Sequence, residues 1–408
     1  MEFTSFLKLY SQSAKTALGF FWKSGWAFVL GYFVSGMIQA FVPKKRLTKY
    51  MGAANFRTVS LSALFGAVSS SCSFAALATA RSLVKKGVHF VAAVAFMFAS
   101  TNLVIELGIL IMIFLGWQYL AAEIIGGLIL IFISTILIKL TYPQKWFEQA
   151  REKLEGEGSE PENFDWKKRI ESRYGWHLVG YKFVNDWKMA WEDILIGFTI
   201  AGFVAVLVPN HFWSELFLAG SRGQANGLLL NLENAIVAPF VAAATFIGSM
   251  GNIPLATVLA QNGVLFAGIM GFIYSDLMVP PLVHINAKYY GWKVALYIAG
   301  IMFISIIATA LILNTGFEWA GILPQTQKAV SEITQFKLDY TFWFNLIFIG
   351  VAFWLVKLNR EHIRQHLQGE SMNMNMNMEG GGAVKRAIVY LFMGIEILGL
   401  IVYGIFSI

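Results

Sequence analysis

The sequence has little charge and almost no cysteine. Only 13% of its 408 residues are Asp, Glu, Lys or Arg, and 57% are hydrophobic, whereas a soluble domain spends about 25% of its residues on charge. This balance excludes a water-soluble globular protein. The single cysteine, Cys72, excludes an internal disulfide and any structural zinc site built on a cysteine pair.

Long apolar runs recur along the chain, and about 20 such residues in a helix cross a bilayer core. The runs are 17–42, 88–115, 117–140, 191–208, 265–279, 292–313, 341–356 and 387–405. They predict an all-α, multi-pass protein of the cell membrane, inner or plasma. The first run carries Lys23 and is longer than a signal-peptide core, so we predict a retained helix. The net charge is +7, and the Lys and Arg residues cluster in loops beside the runs. This placement is typical of the loops that set membrane topology rather than of nucleic-acid binding.

The second half of the chain repeats the first. The matched pairs are Gly31 with Gly197, Val42-Pro43 with Val208-Pro209, Leu77-Ala78-Thr79 with Leu255-Ala256-Thr257, Gly87-Val88 with Gly263-Val264, and Gly116-Trp117 with Gly291-Trp292. Internal duplication is frequent in secondary transporters, although apolar segments also share residues by chance. We predict a first membrane repeat over 1–140, a cytoplasmic amphipathic linker over 141–190, a second repeat over 191–315, and two C-terminal spanning helices with a methionine-rich linker over 316–408.

One stretch in each half is interrupted by polar and small residues. Residues 58–84 contain five consecutive ones at 69–73, and residues 226–260 contain the segment 248–254. Serine competes for backbone hydrogen bonds and proline removes a donor, so each stretch is expected to break in the middle. Lys and Arg flank the first stretch on both sides, which favours a hairpin that returns to the cytoplasm.

Such a hairpin would invert the second half relative to the first. The predicted fold is therefore two inverted-topology repeats, each of three spanning helices plus a broken or re-entrant helical hairpin, followed by two extra C-terminal spanning helices. Parallel repeats built from ordinary crossings are the alternative.

The two breaks are the candidate binding site. Irregular backbone at membrane depth must be buried in protein or line a wet cavity, and opposed helix ends there suit an anion or a cation. The candidate substrate-binding residues are Ser69, Ser70, Ser71, Cys72, Ser73, Ser249, Gly251 and Asn252 at the breaks, with Ser100, Thr101, Asn102 and Ser275 at a polar notch that follows each break. An isolated membrane serine mostly bonds its own helix, but a repeated run favours binding.

Three acidic residues fall within the apolar runs: Glu106, Glu123 and Asp276. A carboxylate at mid-bilayer costs about 3 kcal/mol or more, and a protonated carboxyl avoids much of that cost. We predict Glu106 and Asp276 as proton-coupling residues. Glu123 lies only two turns after Trp117, so we interpret it as a structural group near the membrane surface.

Sulfur is the other candidate ligand. The Cys72 thiol is a soft donor of the kind that Cu(I), As(III) or mercury prefer, and its position at a break makes it a candidate metal ligand, although free cysteines in membrane helices mostly fill space. Methionine alternates with asparagine over 372–378. These thioethers suit soft metals, and a flexible linker explains them equally well.

Four segments carry a family resemblance: SSSCSFAALA at 69–78, FMFASTNLVIELG at 96–108, GSMGNIPLA at 248–256 and YYGW at 289–292. They resemble the predicted-permease family that includes the organoarsenical efflux permeases, over roughly 18–140 and 191–314. Many relatives carry Cys-Ser-Cys-Ser followed by proline at the first break, and the resemblance implies that cysteine there meets trivalent arsenic. Here Cys72 matches the second cysteine, Ser70 replaces the first and no proline follows, so a two-thiol grip is absent.

Together these features predict a membrane permease, specifically a secondary-active exporter of a small solute such as a soft metal, a metalloid or a small anion. A channel is the alternative. The sequence has no phosphate-binding Gly-x-x-x-x-Gly-Lys-Ser/Thr loop, no His-Glu-x-x-His helix and no Gly-x-Ser-x-Gly elbow, so we predict neither an enzyme nor a cofactor. The expected partners are the lipid bilayer, the solute and coupled protons, with no nucleic acid; homo-oligomerisation is left open.

Overall fold

The computed structural model describes residues 2–41, 55–69, 73–85, 87–141, 143, 146, 166–218, 227–245, 247–324, 329–366 and 382–406. Regular structure in these ranges is helical. The helices are α1 (Glu2–Phe41), α2 (Phe56–Ser69), α3 (Ser73–Lys85), α4 (Phe90–Asn102), α5 (Ile105–Phe114), α6 (Trp117–Thr141), α7 (Trp166–Glu171), α8 (Arg173–Leu207), α9 (Asn210–Leu216), α10 (Gly227–Thr245), α11 (Ser249–Gln261), α12 (Phe266–Ile273), a 3-10 turn (Tyr274–Met278), α13 (Pro280–Tyr290), α14 (Trp292–Trp319), α15 (Val330–Ile333), α16 (Tyr340–His366) and α17 (Gly382–Phe406).

Seven helices in the described ranges are long and apolar enough to cross a membrane: α1, α6, α8, α10, α14, α16 and α17. Two further pairs pass the same test together but are bent at a short break by 40°. This arrangement confirms the prediction of a helical multi-pass membrane protein. The inversion of one repeat relative to the other stays a prediction.

The two bent pairs differ from the uninterrupted runs predicted at 88–115 and 265–279. The α4–α5 pair is interrupted where Val104 adopts an extended conformation, at φ −107° and ψ 146°. The second pair is interrupted at Val279, which is extended at φ −61° and ψ 138° and precedes Pro280. The ring of a proline disfavours helical backbone in the residue before it, and proline fits the first turn of the helix that follows.

The helices form two compact units. The first contains residues 1–41, 166–210 and 328–408, and the second contains residues 42–165 and 211–327. Each predicted half therefore contributes its first long helix, α1 or α8, to the first unit and its remaining helices to the second. Helix α8 is continuous across residue 190, so the end of the predicted linker belongs to a membrane-length helix.

The first unit is organised around α1 and α8, which pack along each other and both contact α16 and α17. Close approach is possible because Gly202 on α8 lies against Ala17, where a Cβ would be only 2.6 Å from the Ala17 backbone nitrogen. A buried carboxylate, Asp186, joins the two helices by accepting hydrogen bonds from Gln39 at 2.6 Å and Ser35 at 3.2 Å.

A polar contact also fastens the start of α16 to α1. Lys23 donates a 2.9 Å hydrogen bond to Asp339 and another to Thr341, and Asp339 accepts from the Thr341 backbone at 2.8 Å. Partial burial alone would raise the pKa of Asp339, but the hydrogen bonds from Lys23 and Thr341 outweigh it and lower that pKa from its ordinary value.

A lowered pKa makes this contact sensitive to acid. The stabilisation is fully present above the unfolded-state pKa of about 4 and is lost as the pH falls through the lower folded-state value. We expect Asp339→Asn to lower the melting temperature slightly at neutral pH, because the side chain is 34% exposed and the solvent screens it. The difference between the variant and the native protein should vanish in acid. Melting curves in detergent between about pH 3 and 7 would measure it; a difference independent of pH would contradict the assignment.

Matching turns relate the two halves within the second unit. Gly87 after α3 and Gly263 after α11 have φ of 87° and 89°. The same two hydrogen bonds close both turns: Gly87 N to Val84 O with Val88 N to Leu83 O, and Gly263 N to Ala260 O with Val264 N to Leu259 O. Glycine suits these positions because it adopts positive φ without strain. The two turns place the halves in register.

This register extends through the helices on either side. Ser73 is equivalent to Ser249, and residues 90–102 match residues 266–278, a stretch of equal length. The break between α4 and α5 covers residues 103–104, whereas the break before α13 covers residue 279 alone. The positive-φ glycine that follows, Gly291 in the second half and Gly116 in the first, is therefore reached one residue sooner in the second half. The sequence match of 77–79 with 255–257 is displaced from this register, because apolar helices resemble each other at several alignments.

The second interruption is also shorter than predicted. Helix α11 begins at Ser249 directly after Gly248, which is extended at φ −78° and ψ 174°. Gly251 and Asn252 are already helical and donate to the Gly248 carbonyl at 3.1 and 3.3 Å. Pro254 is accommodated inside the helix near its start. Because the helical hydrogen bonds begin at the Gly248 carbonyl, residues 249–254 belong to α11 and do not extend the break.

Candidate functional site

Three buried polar side chains meet in the second unit. Ser73 and Ser249 have their hydroxyl oxygens 3.2 Å apart, and both donate to Oδ2 of Asp276, at 3.0 Å and 2.8 Å respectively. Their exposed fractions are 4%, 9% and 0%. The structure therefore brings one residue of the first interruption, one of the second and one of the second notch into a single cluster.

Local backbone features position each member of the cluster. Ser73 and Ser249 stand in the first turn of the arm that follows each interruption, α3 and α11. Asp276 lies in the tight 3-10 turn that ends at the extended Val279. Ser73 and Ser249 are equivalent in the register set by the two glycine turns and touch each other, so the cluster joins α3 to α11. In the same register the position equivalent to Asp276 is Ser100, which has no carboxyl group.

The Asp276 carboxyl is half satisfied. Oδ2 accepts two hydroxyl hydrogen bonds, whereas the buried Oδ1 has no hydrogen-bond partner among the described residues. A buried polar atom without a partner is costly. Oδ1 is therefore an acceptor suited to a proton, a cation or a hydrogen-bond donor on a solute.

Helix α6 packs beside this turn through Tyr274. The Tyr274 hydroxyl donates to the carbonyl of Ala122 at 2.8 Å and lies 3.3 Å from that of Glu123. Gly126 leaves room for the ring, since a Cβ there would collide with the Tyr274 hydroxyl. Glu123 is 1% exposed, and in the part of the chain that the structure describes neither of its carboxyl oxygens has a hydrogen-bond partner. The side chain of Glu123 thus lies in the interior of the unit, while its position near the membrane surface stays a prediction.

The first notch is bonded to its own helix. Ser100 donates to the Met97 carbonyl at 3.0 Å, Thr101 to the Met97 and Phe98 carbonyls at 3.3 and 3.2 Å, and Asn102 to the Phe98 carbonyl at 3.1 Å. These bonds leave the notch outside the serine–aspartate cluster. Its role in binding stays a prediction.

The remaining residues predicted from the second half also bond locally. Ser275 donates to the Gly271 carbonyl at 2.5 Å. Asn252 donates to the Ile247 carbonyl and accepts from Thr245, both at 3.3 Å, which ties α11 to the end of α10. Gly251 is buried within α11. These bonds leave the three residues outside the serine–aspartate cluster, and their role in binding stays a prediction.

Other predictions fall at the margins of the described residues. Ser69 ends α2, and Glu106 is buried in the first turn of α5. Ser70, Ser71 and Cys72 lie outside the described residues, as does the methionine-rich segment 372–378, so the predictions for them are not tested. Within the described ranges, no group of three or more His, Cys, Asp or Glu side chains is placed to hold a metal ion.

A polar cluster enclosed by interrupted helices in a multi-pass helical protein is the arrangement that membrane transport proteins use. Comparison with known proteins identifies the family. A family model described as "Predicted permease" matches residues 11–315, and the chain belongs to this family. The predicted resemblance is thereby confirmed, and the protein is a membrane permease of that family.

Two curated relatives agree with this assignment. "Putative permease Rv2963" of Mycobacterium tuberculosis (strain ATCC 25618 / H37Rv) is 35% identical over 328 residues, which cover 77% of this chain and 79% of the relative. "UPF0718 protein YraQ" of Escherichia coli (strain K12) is 26% identical over 129 residues, 32% of this chain and 35% of the relative. No solved structure matches the chain.

Proposed function

We propose that the protein is a secondary-active carrier, working as an exporter, whose solute and coupling proton meet at the Ser73–Ser249–Asp276 cluster. One observation supports this most strongly: residues from both interruptions converge on a single buried carboxylate, one oxygen of which has no partner in the described ranges. A purely structural bundle has no need of such a group, since burying a charge is costly.

The charge of the cluster limits the kinds of solute that can bind there. When Asp276 is ionised, the site offers two hydroxyls and one negative charge, which suits a cation or a neutral solute that donates hydrogen bonds, such as a trivalent metalloid hydroxide. A small anion would be repelled by the carboxylate and would bind only after Asp276 takes up a proton. Either solute therefore couples to the protonation of Asp276, by exchange in the first case and by symport in the second.

Glu106 is the second proton-coupling residue in this proposal. It lies shortly after the extended residue Val104, in the first turn of α5, and is 1% exposed. Helix α11 packs against α5, so the arm that starts with Ser249 is also a neighbour of the helix that carries Glu106. Protonation of Glu106 would then affect helix α11, which contributes Ser249 to the cluster.

Solute flux in proteoliposomes tests the proposal. Vesicles containing the purified full-length protein would be assayed with arsenite, Cu(I), Zn(II) and small inorganic anions. We expect saturable flux of one of these probes, acceleration by unlabelled solute on the opposite side, and dependence on an imposed pH gradient. Cys72→Ser should reduce flux of the thiophilic probes alone, because a hydroxyl is a poor ligand for soft ions. Ohmic single-channel currents without counter-transport would support a channel and refute the carrier.

A further inference from the structure

Glu123 is a buried acidic group that the proposed transport site does not use. Neither of its oxygens has a hydrogen-bond partner among the residues described, and its side chain is 1% exposed. An ionised carboxylate in such surroundings would lose its hydration without any compensating contact. The conformation described here therefore fits Glu123 with a proton on its carboxyl group.

The described helices packed on α6 bring no buried positive side chain to Glu123. These helices are α4, α5, α12 and α14. Their titratable side chains, together with those of α6 itself, are Glu106 on α5, Lys293, Tyr297 and Glu318 on α14, and Tyr119 and Lys139 on α6. Of these, Lys139, Lys293 and Glu318 have exposed side chains. The adjoining 3-10 turn contributes Tyr274, whose hydroxyl is turned to the α6 backbone, and Asp276.

Hydrogen bonds distinguish the two acidic groups. Asp276 receives two hydroxyl donors, which stabilise a negative charge, whereas Glu123 receives none from the described part of the chain. Tyr274, two residues before Asp276, bonds the α6 backbone at 122–123, and the carboxyl groups of Asp276 and Glu123 interact through their charges. Two like charges in one low-dielectric site repel, so a single proton held by one of the two groups is the favoured state.

We propose that Glu123 is a second proton carrier of the permease and shares one proton with Asp276. In the conformation described here the proton is on Glu123 and the charge is on Asp276. When the two serine donors leave Asp276, the O–H bond of Glu123 breaks and an O–H bond forms on Asp276, directly or through water, so that the negative charge passes to Glu123. This inference rests on the proposed function only for its role in coupling; the protonation of Glu123 stands by itself.

Infrared spectroscopy of the full-length protein tests the protonation without any solute. Protein in a maltoside detergent, which has no ester or carboxyl group, should show the carbonyl band of a protonated carboxyl at neutral pH. We expect Glu123→Gln to reduce that band. The control is Glu318→Gln, which makes the same change at an exposed site of the same unit and should leave the band as it is. An unchanged band in Glu123→Gln would overturn the proposal.

Flux measurements test the coupling. With whichever probe the wild-type protein transports, Glu123→Gln should keep solute exchange at equal pH on both sides but lose uptake driven by a pH gradient. Glu123→Asp, which retains a carboxyl, should keep part of the gradient-driven uptake and serves if the glutamine variant does not fold. Gradient-driven uptake at the wild-type level in Glu123→Gln, or equal loss of exchange and uptake, would overturn the coupling role. If the wild-type protein moves none of the probes, the proposed function fails while the infrared result still decides the state of Glu123.

Discussion

Asp276→Asn should reduce transport at least about 10-fold while leaving the fold intact. The amide has nearly the same size as the carboxyl, and its oxygen can still accept from Ser73 and Ser249, which donate to Oδ2 in the native protein. What it loses is the charge and the ability to take up a proton. A charge-assisted contact between the carboxylate and the solute is worth about 1.5–3 kcal/mol, so its loss corresponds to roughly a 10- to 100-fold fall in flux.

The measurement is initial solute flux into proteoliposomes at several pH values, with the melting temperature in detergent recorded for every variant. Asp339→Asn is the matched control, since it makes the same chemical change in the first unit and should leave flux unchanged at neutral pH. An Asp276→Asn protein that transports at the native rate, with the native dependence on pH, would show that this carboxyl neither binds the solute nor carries the proton.

Much of the fold follows from composition and local residue patterns. Apolar runs of bilayer length predicted six of the seven membrane-length helices in the described ranges, because each spanning segment must satisfy its backbone hydrogen bonds internally. The seventh, α10, falls in the stretch 226–260, which was predicted to break in the middle. The segment 248–254 predicted an interruption, which the structure places at Gly248, and the paired glycines at 87, 116, 263 and 291 all adopt positive φ. Residues 70–72 of the serine-rich run lie outside the described residues. These features are local, and local features can be read from a single sequence.

The bends within the two paired spans could not be predicted in the same way. An extended residue such as Val104 or Val279 is as apolar as its helical neighbours, so a bend at that residue leaves the hydropathy of the segment unchanged. Pro280 was a usable signal for the second bend, since proline constrains the residue before it. The first bend has no such signal in its sequence.

The composition of the site depended on tertiary contacts. Ser73 and Asp276 are far apart in the chain, and their contact could not be read from the five consecutive small residues at 69–73, of which the structure describes Ser69 and Ser73. The sequence did not indicate which side of its helix Glu123 occupies, so the burial of this side chain in the unit could not be predicted.

Gly66→Ala is expected to have the largest effect on stability. Helix α2 crosses α4 at this glycine, where an added Cβ would collide with the Phe96 carbonyl oxygen and lie 2.7 Å from the Ala99 Cβ and 2.9 Å from the Ser100 backbone nitrogen. None of these atoms is the end of a flexible side chain, so the two helices must separate. Overpacking of this kind costs about 1–3 kcal/mol.

The same shift should reach the transport site. Gly66 is one turn before the end of α2 at Ser69, and its neighbour Ser100 occupies the position equivalent to Asp276. We therefore expect reduced flux as well as a lower melting temperature in detergent. Gly300→Ala is the control, because no atom of the described residues lies within 4 Å of a Cβ there and alanine is the better helix former by about 1 kcal/mol. If Gly66→Ala and Gly300→Ala both have melting temperatures at or above that of the native protein, α2 does not pack on α4 as closely as the structure describes. The packing that supports the first interruption would then be absent.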